Sequence, residues 1–151
     1  MGQITGFLMN IQKIMKLHDG MLKEICVKYQ LTPIEAKIIS FLYNNPGKDT
    51  ATDIVELRML QKGNVSAAVE TLVCKSLLVR QKDPEDRRKV HLALTPDTAP
   101  ILQSLELLQD EFREKIFAGF TEEEKHAFYE LNEKLQDTLQ NVGSTDCKNE
   151  V

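Results

Sequence analysis

The sequence predicts a mainly α fold that carries one two-stranded β wing. Three observations predict it. Apolar residues recur at three- and four-residue spacing through six separate stretches. The period shortens to two only between residues 77 and 95. Capping residues and breakers stand at the joins, among them "LTPIE", "NNPG", "LTPD" and "FTEEE".

The first stretch reads as a helix from about Ile4 to Tyr29, with Phe7, Ile11, Ile14, Met15, Leu22 and Ile25 on its apolar face. In the second, Thr32 is an N-cap, Pro33 takes the first helical position and Glu35 completes a capping box. Ile34, Ile38, Ile39, Phe41 and Leu42 supply the core side before "NNPG" ends the helix. A short third helix is capped by Asp49 or Thr50 and turns Ile54, Val55 and Leu57 inward. The fourth, "NVSAAVETLVCKSL", places Val65, Ala68, Val69 and Leu72 on one face. Its other face is small near the N-terminus: Gly63 and Ala67 lie there, flanked by Asn64 and Ser66, with Glu70, Thr71 and Cys74 further on.

"LLVRQK" and "KVHLALT" then alternate, with Val90, Leu92 and Leu94 on one side, and "DPEDRR" joins them as a hairpin. Thr95 and Pro96 open a long helix over about residues 96–117, expected to start without interruption, with Ile101, Leu105, Leu108, Phe112 and Ile116 along it. Thr121 and Glu124 form another capping box before a last helix marked by Ala127, Phe128, Leu131, Leu135 and Leu139. Residues 142–151 read as a frayed tail.

Three helices followed by a hairpin are the order of a winged helix-turn-helix, in which the third helix enters the DNA major groove and the hairpin flanks it. The terminal helices carry more apolar positions than a small winged core covers. Met9, Leu17, Met21, Leu102, Leu105, Leu131 and Leu135 are candidates for a partner interface. The chain therefore divides into an N-terminal dimerisation helix (1–30), a winged DNA-binding region (31–95), C-terminal dimerisation helices (96–141) and the tail (142–151), intertwined as one domain.

Charge is unevenly placed. The net charge is −4. Yet residues 61–95 hold seven Lys/Arg against four Asp/Glu, and residues 96–151 hold five against thirteen. A basic middle beside an acidic helical arm suits polyanion binding. No apolar run approaches the roughly 20 residues of a membrane span, and the first residues lack a signal-peptide pattern. The expected location is the cytoplasm, with no membrane partner. Cys26, Cys74 and Cys147 are too widely spaced for a disulfide framework or zinc knuckle, and His18, His91 and His126 lack metal-motif neighbours. The histidines are expected as surface or satisfied residues, and the cysteines more as small hydrophobes than as sensors. No nucleophile–base spacing, phosphate loop or carboxylate pair suggests an enzyme. No metal, cofactor or catalytic residue is expected.

Four stretches together resemble the multiple-antibiotic-resistance regulator (MarR) family: "LTPIEAKIISFL", "KGNVSAAVETLVCKSLLVRQ", "DPEDRRKVHLALT" and "FAGFTEEEKHAFYELNEKL". The resemblance spans about Ile4 to Leu139 and includes the family's Asp-x-Arg wing element at Asp86 and Arg88. It implies a homodimer whose two winged modules bind a pseudo-palindromic duplex, usually as a repressor, released by a small ligand or another signal. Ser76 and Thr98 stand where the family usually has glycine, and Ala67 where a longer polar side chain is common.

The DNA-binding candidates follow. Asn64 pairs with adenine edges, Ala67 touches a thymine methyl, and Ser66 and Lys62 meet bases or phosphates. Arg88, with Arg87, enters the minor groove, and Asp86 orients Arg88 through a charge-assisted hydrogen bond. Arg80, Lys82 and Lys89 serve phosphates. The alternative is a winged-helix module for protein–protein contact with DNA binding weakened or lost. Retention on heparin with a steep salt dependence separates the two.

Overall fold

The computed structural model describes residues 1–146, with side chains through residue 142. The order is α1 (Gln3–Tyr29), α2 (Pro33–Asn44), α3 (Ala51–Arg58), α4 (Lys62–Cys74), β1 (Leu78–Lys82), β2 (Val90–Leu94), a 3-10 turn (Pro96–Thr98), α5 (Ala99–Ile116) and α6 (Glu122–Asp146). All six expected helices and the wing are present. The strands pair antiparallel, with Arg80 opposite Leu92 and Lys82 opposite Val90.

The described residues form two compact units, Met1–Phe112 and the part that follows from Arg113. In the first, α1 to α4, the wing and most of α5 share one core. Ile38, Ile39, Ile54, Val65 and Leu72 are fully enclosed there, joined by Leu78 and Leu92 from the wing. The Tyr29 hydroxyl donates to the Pro100 carbonyl at 3.1 Å and lies 2.9 Å from Ser104 Oγ, tying the end of α1 to α5. In the second unit Phe117 is buried against Phe120, Phe128 and Tyr129 in edge-to-face contacts.

Local chemistry explains the helix ends. Thr32 Oγ1 accepts the Glu35 N–H at 3.3 Å while the Glu35 carboxylate accepts the Thr32 N–H at 2.9 Å. Thr121 and Glu124 repeat that exchange at 3.1 and 2.9 Å. Of the two candidates for α3, Thr50 is the cap, and Asp53 completes an unforeseen box. Residue 76 leaves α4 in the left-handed region, φ +61°. Its N–H donates to the Val73 carbonyl and that of Leu77 to the Leu72 carbonyl. This is the closure glycine usually supplies, here made by serine.

Several expectations are corrected. Of the apolar face of α1, Leu22 and Ile25 are buried with Cys26, while Phe7, Ile11, Ile14 and Met15 are exposed, because only the C-terminal part of α1 meets the core. Leu57 is exposed, as the short α3 turns only Ile54 fully inward. Along the wing, Leu92 is buried, while Val90, paired with Lys82 at the tip end, is exposed. Among the interface candidates, Leu105 is buried in the chain's own core and Met21 and Leu102 pack against it. Met9, Leu131 and Leu135 are exposed. The long C-terminal helix does not begin as an α-helix at residue 96. A 3-10 turn comes first, in which the buried Thr98 hydroxyl donates to the Thr95 carbonyl at 2.7 Å. Helix α6 continues to Asp146, so residues 142–146 are helical rather than a frayed tail, and residues 147–151 lie outside the described residues.

Candidate nucleic-acid interface

Helix α4 is held from one side by burial. Val65, Ala68, Val69 and Leu72 face the core, as their spacing predicts, and α4 packs on α2, α3 and β1. Its far end is fixed by an ion pair. Lys75 Nζ donates to Glu35 Oε1 at 2.9 Å and to the Gln30 carbonyl at 2.6 Å. Glu35 is only 2% exposed. Burial pushes its carboxyl pKa up, but the Lys75 ammonium and the Thr32 hydrogen bonds outweigh this and hold it below the usual value. One charge pair thus fastens the C-terminal end of α4 to the start of α2.

The opposite face of α4 is free. Lys62, Gly63, Asn64, Ser66, Ala67, Glu70, Thr71 and Cys74 are all exposed. The first turn has no acidic residue and no side-chain cap, so its N–H groups and the positive end of the helix dipole stay open to an anion. Asn64 Nδ2 donates to Gln61 Oε1 at 3.2 Å, which preorients the amide.

The wing borders this face. Arg80 on β1 reaches Glu70 of α4, Nη2 to Oε2 at 2.5 Å. The pair cancels the one negative charge on the outward face of α4 and leaves Arg80 committed to Glu70, whereas sequence reasoning gave it to phosphate alone. Lys82, Arg87, Arg88 and Lys89 are exposed around the tip. The turn is built by acidic side chains. Asp83 Oδ1 accepts the N–H groups of Glu85 and Asp86, each at 2.9 Å. Asp86 Oδ1 accepts the Arg88 N–H at 2.9 Å. Asp86 therefore holds the backbone of Arg88, not its guanidinium as expected: an aspartate two residues ahead of an N–H reaches it more readily than the end of a long side chain.

Sequence reasoning missed the wing's anchor. His91 Nε2 lies 2.7 Å from Asp83 Oδ2, and Nδ1 lies 2.7 Å from Asp49 Oδ1. The hairpin register, with His91 opposite Gln81 and two residues short of Asp83, offered a signal for the first contact. The second is tertiary and left no local trace. Hydrogen bonds to Asp83 and then Asp49 raise the His91 pKa, and His91 in turn holds the Asp83 carboxyl far below its usual value. The other histidines behave as ordinary residues: His126 pairs with Glu130 on the surface, and half-buried His18 packs edge-on to Phe112, its pKa lowered by burial.

Cys26 is buried, and burial raises its pKa; Cys74 is exposed, and Cys147 lies outside the described residues. Among the described residues, no group of three His, Cys, Asp or Glu side chains is placed to hold a metal ion. Nor, among them, is any helix long and apolar enough to cross a membrane.

Comparisons with known proteins agree with this geometry. The profile of the MarR family matches residues 29–89, from the end of α1 to the wing tip. The HTH-type transcriptional regulator YsmB of Bacillus subtilis is 29% identical over 114 residues, covering 76% of this chain and 77% of that protein. The HTH-type transcriptional repressor NicR of Pseudomonas putida is 23% identical over 133 residues, 88% of this chain and 84% of its own. Among solved structures, Bordetella bronchiseptica BpsR, described with regulation of its DNA binding by 6-hydroxynicotinic acid, aligns with a TM-score of 0.66 at 23% identity. That alignment covers 89% of this chain and 99% of BpsR.

Proposed function

Because the MarR family profile matches residues 29–89, we propose that this chain is a winged helix-turn-helix regulator of that family, which binds a specific duplex as a homodimer and represses transcription until a small ligand or another signal releases it. The observation that carries the reading is the pairing of two surfaces in one unit. The outward face of α4 is small, its one negative charge is paired with Arg80, and it is open at its N-terminus, and the bordering wing carries the exposed cations Lys82, Arg87, Arg88 and Lys89. A small face permits close approach to base edges, and cations at a loop tip suit phosphates and the minor groove. Lys62, Asn64, Ser66 and Ala67 are the base- and phosphate-facing residues of α4. Arg87 and Arg88 take the minor groove, Lys82 and Lys89 take phosphates, and Asp86 shapes the tip. Arg80 acts through Glu70.

Dimerisation is supported by exposed apolar side chains at helical spacing in each unit: Ile4, Phe7, Ile11 and Ile14 in α1, and Leu131, Leu135, Leu139 and Val142 in α6. A monomer would leave these in water, and a second copy would cover them. Repression and ligand release are supported by NicR, named a repressor, and by BpsR, whose DNA binding responds to 6-hydroxynicotinic acid. Such an effector must bind the DNA-free state more tightly, so operator DNA weakens effector binding by the same factor.

Selection of bound sequences from a random duplex pool tests the reading. Recovery of an inverted repeat supports it. Absence of enrichment, together with no salt-dependent retention on heparin, favours the protein–protein module instead.

A further inference from the structure

A chain of bonds connects the loop ahead of α3 to the wing tip through one imidazole. The Asp49 carbonyl accepts the Leu92 N–H at 2.8 Å, and its carboxylate faces His91 Nδ1. His91 Nε2 faces Asp83, whose second oxygen accepts the N–H groups that begin the tip turn. A neutral imidazole has one N–H. It satisfies one carboxylate and turns a lone pair toward the other, 2.7 Å away. Only the imidazolium donates to both.

The charged groups around this corner are accounted for. Asp49 approaches from the segment between α2 and α3, and Asp83 from the end of β1; Gln81, opposite on β1, is neutral. Helix α3 contributes Asp53, engaged in its own cap with Lys48 and Lys89 acting on it. Helix α2, which also packs on β2, contributes Lys37, paired with Asp19, and Glu35, paired with Lys75.

We infer that His91 is a positioning residue for the wing: as an imidazolium it clips the tip turn to the segment ahead of α3, and its deprotonation releases the tip and weakens duplex binding. The duplex readout rests on the DNA-binding reading above; the clip itself does not. The direction follows from linkage. The folded His91 pKa is raised, so its contribution is complete below the ordinary histidine value of about 6.5 and lost as pH rises through the raised value. Asp83 is depressed, so its contribution is present above the ordinary aspartate value and lost only in strong acid. The clip is therefore closed in mild acid and opens on the alkaline side.

The test uses the full chain from pH 6 to 9 at constant ionic strength. Ring nitrogen NMR reads His91, hydrogen exchange corrected for intrinsic rates reads the Glu85 and Asp86 amides, and titration with a bound duplex reads affinity. In the wild type, both ring nitrogens are protonated at the acid end. The tip amides lose protection as the ring titrates, and affinity falls about fivefold, the low end of site-to-site coupling. Asp49→Asn is the decisive variant. Its carboxamide N–H donates to the Nδ1 lone pair, so a neutral ring keeps both bonds, and protection and affinity stay level to pH 9. His91→Gln gives a level profile at reduced affinity. A singly protonated ring at pH 6 with protected tip amides, or one shared pH profile for wild type and Asp49→Asn, overturns the proposal. Because the ring and amide signals need no DNA, failure to bind any duplex would refute the DNA reading while leaving the clip to be judged by them.

Discussion

Replacing Lys75 with methionine removes the ammonium facing Glu35 while keeping much of the aliphatic volume. Glu35 is then a carboxylate 2% exposed to solvent, held by its hydrogen bonds to Thr32 but without a compensating charge. Breaking a buried pair in this way typically costs about 3–5 kcal/mol. The Lys75 side chain is 36% exposed, so part of its attraction is already screened and the expected loss is nearer 2–3 kcal/mol. At roughly 3 °C per kcal/mol for a chain of this size, Tm should fall by about 6–9 °C. Protein concentration must be held fixed if the chain is dimeric. Glu35→Gln keeps the capping geometry and buries no charge, so it should cost only about 1 kcal/mol. The pH dependence separates electrostatics from packing. In the wild type, Glu35 is depressed, so its contribution is present above the ordinary glutamate pKa and fades as pH falls through the lowered value. In Lys75→Met, burial wins, the carboxyl pKa rises, and protonation relieves the penalty. The stability gap between the two proteins should therefore narrow from pH 7 to pH 4, as read by urea unfolding. A gap below about 0.5 kcal/mol at pH 7, the size of an ordinary surface substitution, or one unchanged at pH 4, refutes the reasoning.

Other expectations follow from single residues. Ser76→Gly should stabilise the fold by about 1 kcal/mol, because Ser76 sits at φ +61° where glycine carries no Cβ penalty; equal or lower stability by denaturant titration would contradict this. Thr50→Ala should cost about 1 kcal/mol through loss of the Asp53 N–H bond, and Thr50→Ser much less; equal losses in the two variants would show that the box is not what Thr50 supplies. In sedimentation, the wild type should run as a dimer and Ile11→Glu with Leu139→Glu should shift it toward monomer. A monomeric wild type removes the assembly reading.

The legible and illegible parts of this chain divide by range. Helix α4 was readable because four apolar residues at helical spacing mark its buried face, and the Thr32 and Thr121 boxes were readable because both partners lie within three residues. The wing followed from its alternation. What was not legible depended on distant partners. Phe7 and Ile11 recur at helical spacing, but spacing alone does not say whether the chain's own core covers them, and they are exposed. Arg80 looked free because Glu70 lies on another element. Asp86 was given the right neighbour but the wrong atom. His91 looked ordinary because Asp49 arrives only through the tertiary fold.

The wing tip is where the central claim is tested most directly. Affinity for the selected inverted-repeat duplex should be measured across a salt series for wild type and Arg88→Ala, on operators with A·T-rich and G·C-rich flanks, after confirming unchanged folding. A dimer loses two tip charges in the variant, so the account predicts a log–log salt slope shallower by about 2. It also predicts a larger loss on the A·T-rich flank, where a narrow minor groove attracts arginine. Binding by Arg88→Ala equal to wild type on both duplexes at every salt would contradict the account and leave the tip a solvated turn.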